Sequence, residues 1–468
     1  MNVMPLKFRP APSGRFLFCD DAGGFFEAPQ EFLERYAQGR LTSDDERFLE
    51  SNGHAFNRPG DLRFQSFGYR WARRLHMPTE LDYVILVPTL RCNLACSYCQ
   101  VSRVNESTPG HDWDRRTLQA VIHWLDGLPT DKIKIEFQGG EPLLRLDVLQ
   151  EIRSFARQRF ETSEFVVCTN LQDVSEGAWD YLSSPDTFIS TSLDPTVALH
   201  ERNRTGTEGL TTRFLANLDK ALSLCPGRVS ALPTFDPDAL PDPEAVVATY
   251  ASHGLQSLFL RPVNHQGFAR KRFRTRDVGA TWNDYVRRFI LALVEHNATS
   301  STPMEEFYFS HCLRRVLLSG HDGHVDLRNP NPVGLSYVVV DHDGSFYPTD
   351  EARMMGRLGQ IDLRMGNVHE GFDATIAEAM NAESLNTLDA DCVHCPYQAF
   401  CGVDLINDLS RYGRIDMPRH ETDFCKRHLG IFDLVFELIY SDDEKVKNSV
   451  ALWAGLEGLE PELLRVHS

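Results

Sequence analysis

Seven of the eleven cysteines fall into two groups. The first is Cys92-Asn-Leu-Ala-Cys96-Ser-Tyr-Cys99, with spacing C-x3-C-x2-C. Three thiolates this close can hold three irons of a [4Fe–4S] cluster and leave the fourth iron open. Ordinary electron-transfer clusters take four protein ligands, so a three-ligand loop points to an exchangeable position. A zinc site would want a fourth Cys or His nearby, and none follows closely. The second group is Cys392-Val-His-Cys395, followed by Cys401 and then Cys425. Four converging thiolates close either an Fe–S or a zinc site, and spacing alone does not choose between them. The other four, Cys19, Cys168, Cys225 and Cys312, stand singly and read as buried structural thiols.

The elements that must position these groups follow from patterning. Six β-rich runs, Tyr83–Pro88, Ile133–Gln138, Phe165–Asn170, Thr187–Leu193, Val229–Thr234 and Ser257–Pro262, alternate with helix-like stretches. The latter are Trp113–Leu128, Leu146–Phe160, Leu210–Leu224 and Asp242–His253. Such alternation implies parallel strands joined by right-handed crossovers. The expected fold class is α/β, as an open doubly wound sheet or a partial (β/α)6 barrel. Either way ligands bind at the carboxyl ends of the strands, and Cys92–Cys99 follows the first of them.

Around this unit we expect a small N-terminal α+β module over residues 1–75. It comprises a hairpin at Ala22-Gly23-Gly24 and short helices at Pro29–Gln38 and Ser43–Ser51, with Thr42 or Ser43 as N-cap. The barrel spans 76–275, a helical linker 276–320, and a cysteine-bearing domain 321–430. A helical segment, 431–468, closes the chain. The 468 residues are 42% hydrophobic and 24% charged, a globular composition. The net charge of −18 argues against generic nucleic-acid binding. The N-terminal MNVMPLKFRPAPSG lacks the apolar core of a signal peptide and no run is long enough to span a bilayer, so a cytoplasmic location is expected.

The C-x3-C-x2-C loop with Tyr98 before its last Cys, and Gly139-Gly140-Glu141-Pro142 after the second strand, resemble the radical SAM family. That resemblance implies a cluster on Cys92, Cys96 and Cys99 that binds S-adenosylmethionine (SAM). It implies SAM contacts at Tyr98, Gly139, Gly140 and Glu141, and at the later strand ends Asn170, Ser192, Asp194 and Arg261. The run CVHCPYQAFCG resembles the SPASM extension of radical SAM peptide maturases, which normally carries two auxiliary clusters. Here the cysteines expected for the first one are replaced by Asn331, Thr349 and Leu405. The resemblance therefore implies one auxiliary [4Fe–4S] cluster, on Cys392, Cys395, Cys401 and Cys425, with zinc as the competing metal.

Asp350, beside Thr349, matches the position of a general base in the related sulfatase-maturing enzymes, and Glu351 or Arg353 could pair with it or replace it. Longer runs, LRCNLACSYCQVSRV, IEFQGGEPLL, LFLRPVNHQGFA, VDLRNP and DGSFYPTDEARMM, are similar to the His-Xaa-Ser system radical SAM maturases. That similarity implies a ribosomally made precursor peptide as substrate, modified by a side-chain crosslink. Epimerisation and sulfatase-maturase-like oxidation are the alternatives, and a non-catalytic Fe–S partner of a second maturase is the reading from another class. It implies a winged-helix-like N-terminal module that grips the leader, and a flavodoxin or ferredoxin as electron donor. A second radical SAM maturase is a further partner, with no nucleic acid and no membrane.

Overall fold

The computed structural model describes residues 1–75, 80–101, 103–264, 266, 268–269, 278–318, 333–458 and 466–467. The boundaries expected at 76, 275 and 321, and the VDLRNP run, lie outside the described residues. The chain opens with an antiparallel sheet of β1 (Leu6–Pro10), β2 (Phe16–Asp20) and β3 (Phe25–Ala28). The expected hairpin is β2–β3, and Gly23, at φ +82°, takes the left-handed turn position. Strand β1 was not expected, because Pro5 and Pro10 punctuate LKFRP like a loop. It forms because Leu6 and Phe8 alternate against β2.

Helices α1 (Gln30–Ala37) and α2 (Ser43–Ser51) stand where their spacing placed them. Thr42 caps α2 through a reciprocal box with Asp45. Helix α3 (Leu62–Arg74) follows, capped by Asp61, with none of its residues buried. One face of the small sheet packs Phe18 and Phe26 onto Phe32 and Leu49. The other presents Leu17, Cys19 and Phe25 to the same core as the C-terminal helices. The N-terminal residues are thus built into the body of the protein.

In the central unit, alternation decides the faces. In β5 (Lys132–Phe137), which pairs beside β4 (Tyr83–Leu86), Ile133, Ile135 and Phe137 are buried toward helices α4 (Arg115–Asp126) and α5 (Leu146–Arg159). Glu136, from the opposite face, lines an interior cavity. Next come β6 (Thr162–Cys168), α6 (Glu176–Leu182), β7 (Thr187–Thr191), α7 (Glu208–Leu224), β8 (Val229–Ala231) and α8 (Pro243–Ser252). Strands β4 to β8 are parallel in the order β8-β7-β6-β5-β4. The sixth run shortens to β9 (Ser257–Leu258). Its link to the rest is a parallel bridge between Phe235 and Pro262.

The C-terminal part does more than append a domain. Helix α9 (Gly279–Thr299) leads to β10 (Glu305–Glu306), which pairs with β9, and to α10 (Phe307–Leu317). Strand β11 (Tyr337–Val340) then adds in parallel to the free edge of β4, and β12 (Phe346–Tyr347) folds back on it. The sheet edge beside the first strand is therefore covered. After it come α11 (Asp350–Arg357), α12 (Leu405–Tyr412), α13 (Asp423–Ile439) and α14 (Glu444–Ala454). Among the described residues no helix is long and apolar enough to cross a membrane.

Phe25 is the hinge pin between the N-terminal sheet and α13, with its ring centroid 5.1 Å from Phe436 and 6.5 Å from Phe400. Phe25→Ala should lower stability by about 3–5 kcal/mol, as large-to-small changes in a tight core do. A urea midpoint unchanged from the parent would show that this contact does not unite the two regions.

Candidate functional site

The loop after β4 is fixed from both sides. Thr89 and Arg91 both reach the Asp112 carboxylate, at 2.5 and 2.8 Å. From the end of β5, Gly140 N–H donates to Thr89 O at 3.0 Å and Glu141 N–H to Arg91 O at 2.8 Å. A side chain at Gly139 would strike Thr89 O, and one at Gly140 would strike Arg91 O. The two glycines are therefore required by the approach of two protein backbones. Farther round the loop, Ser97 N–H donates to Asn203 O and Phe268 N–H to Cys99 O, at 2.8 and 2.7 Å.

Cys92, Cys96 and Cys99 all line one cavity of about 530 Å³. Burial pushes the Cys92 thiol up to about 12 and raises Cys96, and the neighbouring thiols add to both. Such groups stay protonated at neutral pH until a soft metal displaces the proton. Tyr98, Gly139, Gly140, Asn170, Ser192 and Arg261 line the same cavity. Asn170 Nδ2 lies 2.8 Å from Asn93 Oδ1 and 3.7 Å from Cys92 Sγ, so it braces the cysteine loop as well.

Two expected contact residues stand behind the wall instead. Glu141 is 2% exposed, and its carboxylate accepts from Thr169 Oγ1, Asn170 N–H and Leu143 N–H. It ties the end of β6 to the loop after β5, and burial raises its carboxyl to about 7. Asp194 is fully buried and accepts from Tyr98 Oη at 2.5 Å and Arg204 Nε at 3.0 Å. Arg204 lines the cavity and lies over the Tyr98 ring, 5.1 Å from its centroid. Sequence reasoning missed Arg204. It sits in a wide helical turn, Glu201–Thr205, closed by a Gly206 N–H to Glu201 O bond, and only the following Gly hinted at that turn.

The same cavity also carries carboxylates. Asp350 lines the cavity, and its Oδ1 accepts from Arg353 Nε and Nη2, at 2.9 and 2.6 Å. Burial raises the Asp350 carboxyl above its ordinary value, against the pull of Arg353. Arg353 is fully buried between Asp350 and Asp341, so it serves as the partner of Asp350 and cannot replace it at the cavity surface. Glu351 also lines the cavity.

A second carboxylate, Glu136, accepts from Tyr83 Oη and Gln138 Nε2, both at 2.6 Å, and from Cys168 Sγ at 3.2 Å. Cys168 was expected to be a structural thiol. It instead points inward from the last position of β6 and lines the cavity, because the pleat puts Val167 toward the helices and Cys168 away from them. Cys19, Cys225 and Cys312 are buried.

Burial raises the thiols of Cys392, Cys395, Cys401 and Cys425, repulsion from neighbouring thiols adds to it at Cys392, Cys401 and Cys425, and none is in a disulfide. Cys425 lies in the first turn of α13, where the helix dipole favours a thiolate. The donor set is soft enough for an Fe–S cluster or zinc, while no three of these sulfurs lie within 4.8 Å of one another in the structure. Thr349 caps α11 through Ala352 N–H, and Leu405 is buried against Val403 and Ile406. Both still line the cavity, which reaches to them from the Cys92 loop. Asn331 lies outside the described residues.

Gly140→Ala should push the cysteine loop off its seat. We expect an iron content below half that of the parent after reconstitution, with a stability loss of about 1–3 kcal/mol. Full iron loading in this variant would contradict the backbone-approach argument. Cobalt(II) should bind the metal-free chain more tightly at about pH 9 than at pH 7, since each raised thiol must release its proton to become a ligand. A pH-independent cobalt titration would mean that the thiols are not the ligands.

The Radical SAM superfamily matches residues 86–238. An uncharacterized protein of Methanocaldococcus jannaschii is 29% identical over 120 residues, 25% of this chain. The chain spans 40% of the length of that curated relative. Native anSMEcpe with bound AdoMet superposes with a TM-score of 0.61 at 17% identity, over 79% of this chain and 99% of that one. Native anSMEcpe with bound AdoMet and Cp18Cys peptide gives the same TM-score, identity and coverage. The chain has the α/β fold of the radical SAM structures it superposes on, and residues 86–238 are the part that matches the Radical SAM superfamily.

Proposed function

We propose that this protein is a radical SAM enzyme that modifies a ribosomally made precursor peptide. The observation that carries the proposal is one cavity lined both by the three-cysteine loop and by the carboxylates Asp350 and Glu136. Cys92, Cys96 and Cys99 hold the SAM-binding [4Fe–4S] cluster, and Cys392, Cys395, Cys401 and Cys425 hold one auxiliary cluster. When bound, the first cluster supplies the electron that splits the sulfonium bond of SAM to give a hydrogen-abstracting radical.

The chain's own groups bind and orient. Tyr98, the backbone of Gly139 and Gly140, Asn170, Ser192 and Arg261 face SAM, while Glu141 and Asp194 hold those groups in place from behind. Asp350 takes the substrate proton, and burial tunes its carboxyl toward that task. A peptide substrate is supported by the reach of the cavity to Thr349 and Leu405, and by the peptide held in the anSMEcpe structure. The sequence runs around the cysteine loop favour the His-Xaa-Ser system type, with a side-chain crosslink as product. On that reading residues 1–75 meet the leader, a flavodoxin or ferredoxin delivers electrons, and a second maturase acts alongside.

One observation favours epimerisation as a second reading. The Cys168 thiol faces the cavity beside Glu136. A thiol can return a hydrogen atom to a substrate carbon radical. The resulting sulfur radical then takes an electron from the external donor and a proton from solvent, which restores the thiol. Co-expression with the precursor in deuterated water separates the two readings. A crosslink lowers the peptide mass by about two daltons, whereas hydrogen return from an exchangeable thiol raises it by about one per site.

Replacing Cys92, Cys96 and Cys99 together with Ala should abolish 5′-deoxyadenosine formation. The parent should hold about eight irons and eight sulfides, four per cluster. A count near twelve would reveal a further cluster, and residual cleavage in the triple variant would reject the assignment. Asp350→Asn should slow peptide modification by about 10²–10⁴-fold while SAM cleavage persists. Equal modification rates would remove Asp350 from the chemistry.

A further inference from the structure

Between the four-cysteine group and the cavity lies a hydrogen-bonded relay through His428. This residue is on α13, one turn beyond Cys425, and is 2% exposed. Its Nδ1 is 3.3 Å from Cys401 Sγ, and its Nε2 is 2.8 Å from Tyr308 Oη. Tyr308, from α10, and His428 both line the cavity.

The directions of these bonds follow from inventory. Cys401 Sγ also lies 3.3 Å from Gly402 O, which can only accept, so the thiol hydrogen points there. Sγ then accepts from Nδ1–H, which leaves Nε2 to accept from the Tyr308 hydroxyl. Loss of the thiol hydrogen on metal binding breaks the Gly402 contact and strengthens the Nδ1–H···S bond, since a thiolate is the better acceptor. The ring cannot easily turn away, because it packs on Phe424 with centroids 3.8 Å apart.

We propose that His428 is a positioning residue that tunes the auxiliary cluster and joins it to the substrate cavity. It donates to the Cys401 thiolate, and Tyr308 fixes the tautomer that makes this possible. A donor on a ligand sulfur withdraws charge from the cluster and makes reduction easier, as hydrogen bonds to sulfur do in Fe–S sites generally. A peptide in the cavity that engages the Tyr308 hydroxyl would change the strength of the same bond. The proposal rests on the reading of the four cysteines as an Fe–S site.

The test uses the full-length chain with Cys92, Cys96 and Cys99 replaced by Ala, so that only the auxiliary cluster contributes. Iron and sulfide near four each, with no zinc, establish the site; no iron there overturns both the site and the relay. Redox titration followed by electron paramagnetic resonance then compares this parent with His428→Phe, His428→Gln and Tyr308→Phe. At unchanged iron content, the relay requires a more negative potential in His428→Phe and a smaller shift of the same sign in Tyr308→Phe. Should His428→Phe fail to fold, His428→Gln, which keeps a polar donor, must lie closer to the parent than a variant with Leu at that position. An unchanged potential at full iron would overturn the proposal. Loss of iron in both His428→Phe and His428→Gln would make His428 a ligand, which also overturns it.

Discussion

The site depends on two backbone hydrogen bonds, Gly140 N–H to Thr89 O and Glu141 N–H to Arg91 O. They continue the pairing of β4 with β5 past the strand ends and seat the cysteine loop on the sheet. Each is worth only about 1 kcal/mol net, so their weight lies in geometry. Pairing at this closeness leaves no volume for a side chain on Gly139 or Gly140. The buried Glu141 carboxylate then carries the constraint sideways to Thr169 and Asn170 at the end of β6. Asn170 returns it to Cys92 and Asn93. Three strand ends are thus locked into one rigid rim, the condition for a site that must hold reacting groups within a fraction of an ångström.

A second constraint joins the ends of the chain. Arg74, closing α3, donates to Ala22 O in the β2–β3 turn and to Ala399 O in the second cysteine loop, at 2.8 and 2.7 Å. Its guanidinium lies 5.1 Å from the centre of the Phe400 ring. Arg315 donates to Phe400 O at 2.6 Å. Burial, helped by Arg315, pulls Arg74 down to about 10, which still leaves it charged at neutral pH. The half-buried Arg74 and the buried Arg315 are thus satisfied by backbone carbonyls. These bonds hold the N-terminal segment and the cysteine loop in contact.

Much of this was legible in the sequence because its signals are local. The strand runs, the C-x3-C-x2-C loop, the GGEP turn and the Thr42 capping box each depend on neighbours a few residues apart. What escaped depends on partners far along the chain. Strand β11 reads as an ordinary apolar run, yet its place beside β4 is set by an exposed edge more than two hundred residues earlier. Cys168 looked like a filler thiol because only the barrel's curvature decides that its side of β6 faces a cavity. Glu141 and Asp194 were recognised as site residues, but motif spacing says nothing of whether a carboxylate faces ligand or protein. Here their buried donors had already claimed both oxygens of each.

The region around Thr349 and Leu405 is held together by ordinary packing. A thiolate cage would hold α11, β12 and the segment after Cys401 together through its ligands. In this chain Leu405 packs with Val403, Ile406, Val339 and Met355 in one apolar cluster, and Thr349 spends its hydroxyl on capping α11. Burial of one leucine contributes about 1.5–3 kcal/mol, and a cap about 1 kcal/mol. Those are ordinary packing terms, distributed over several residues and insensitive to redox state. Glu351 and Asp404 line the cavity beside Asp350 and Leu405. The nearest fixed positive charge is then Arg353, paired on its far side with Asp341. The basicity of the Asp350 carboxylate is set by burial, which raises it, by the pull of Arg353 against that, and by repulsion from Asp341 and Glu136.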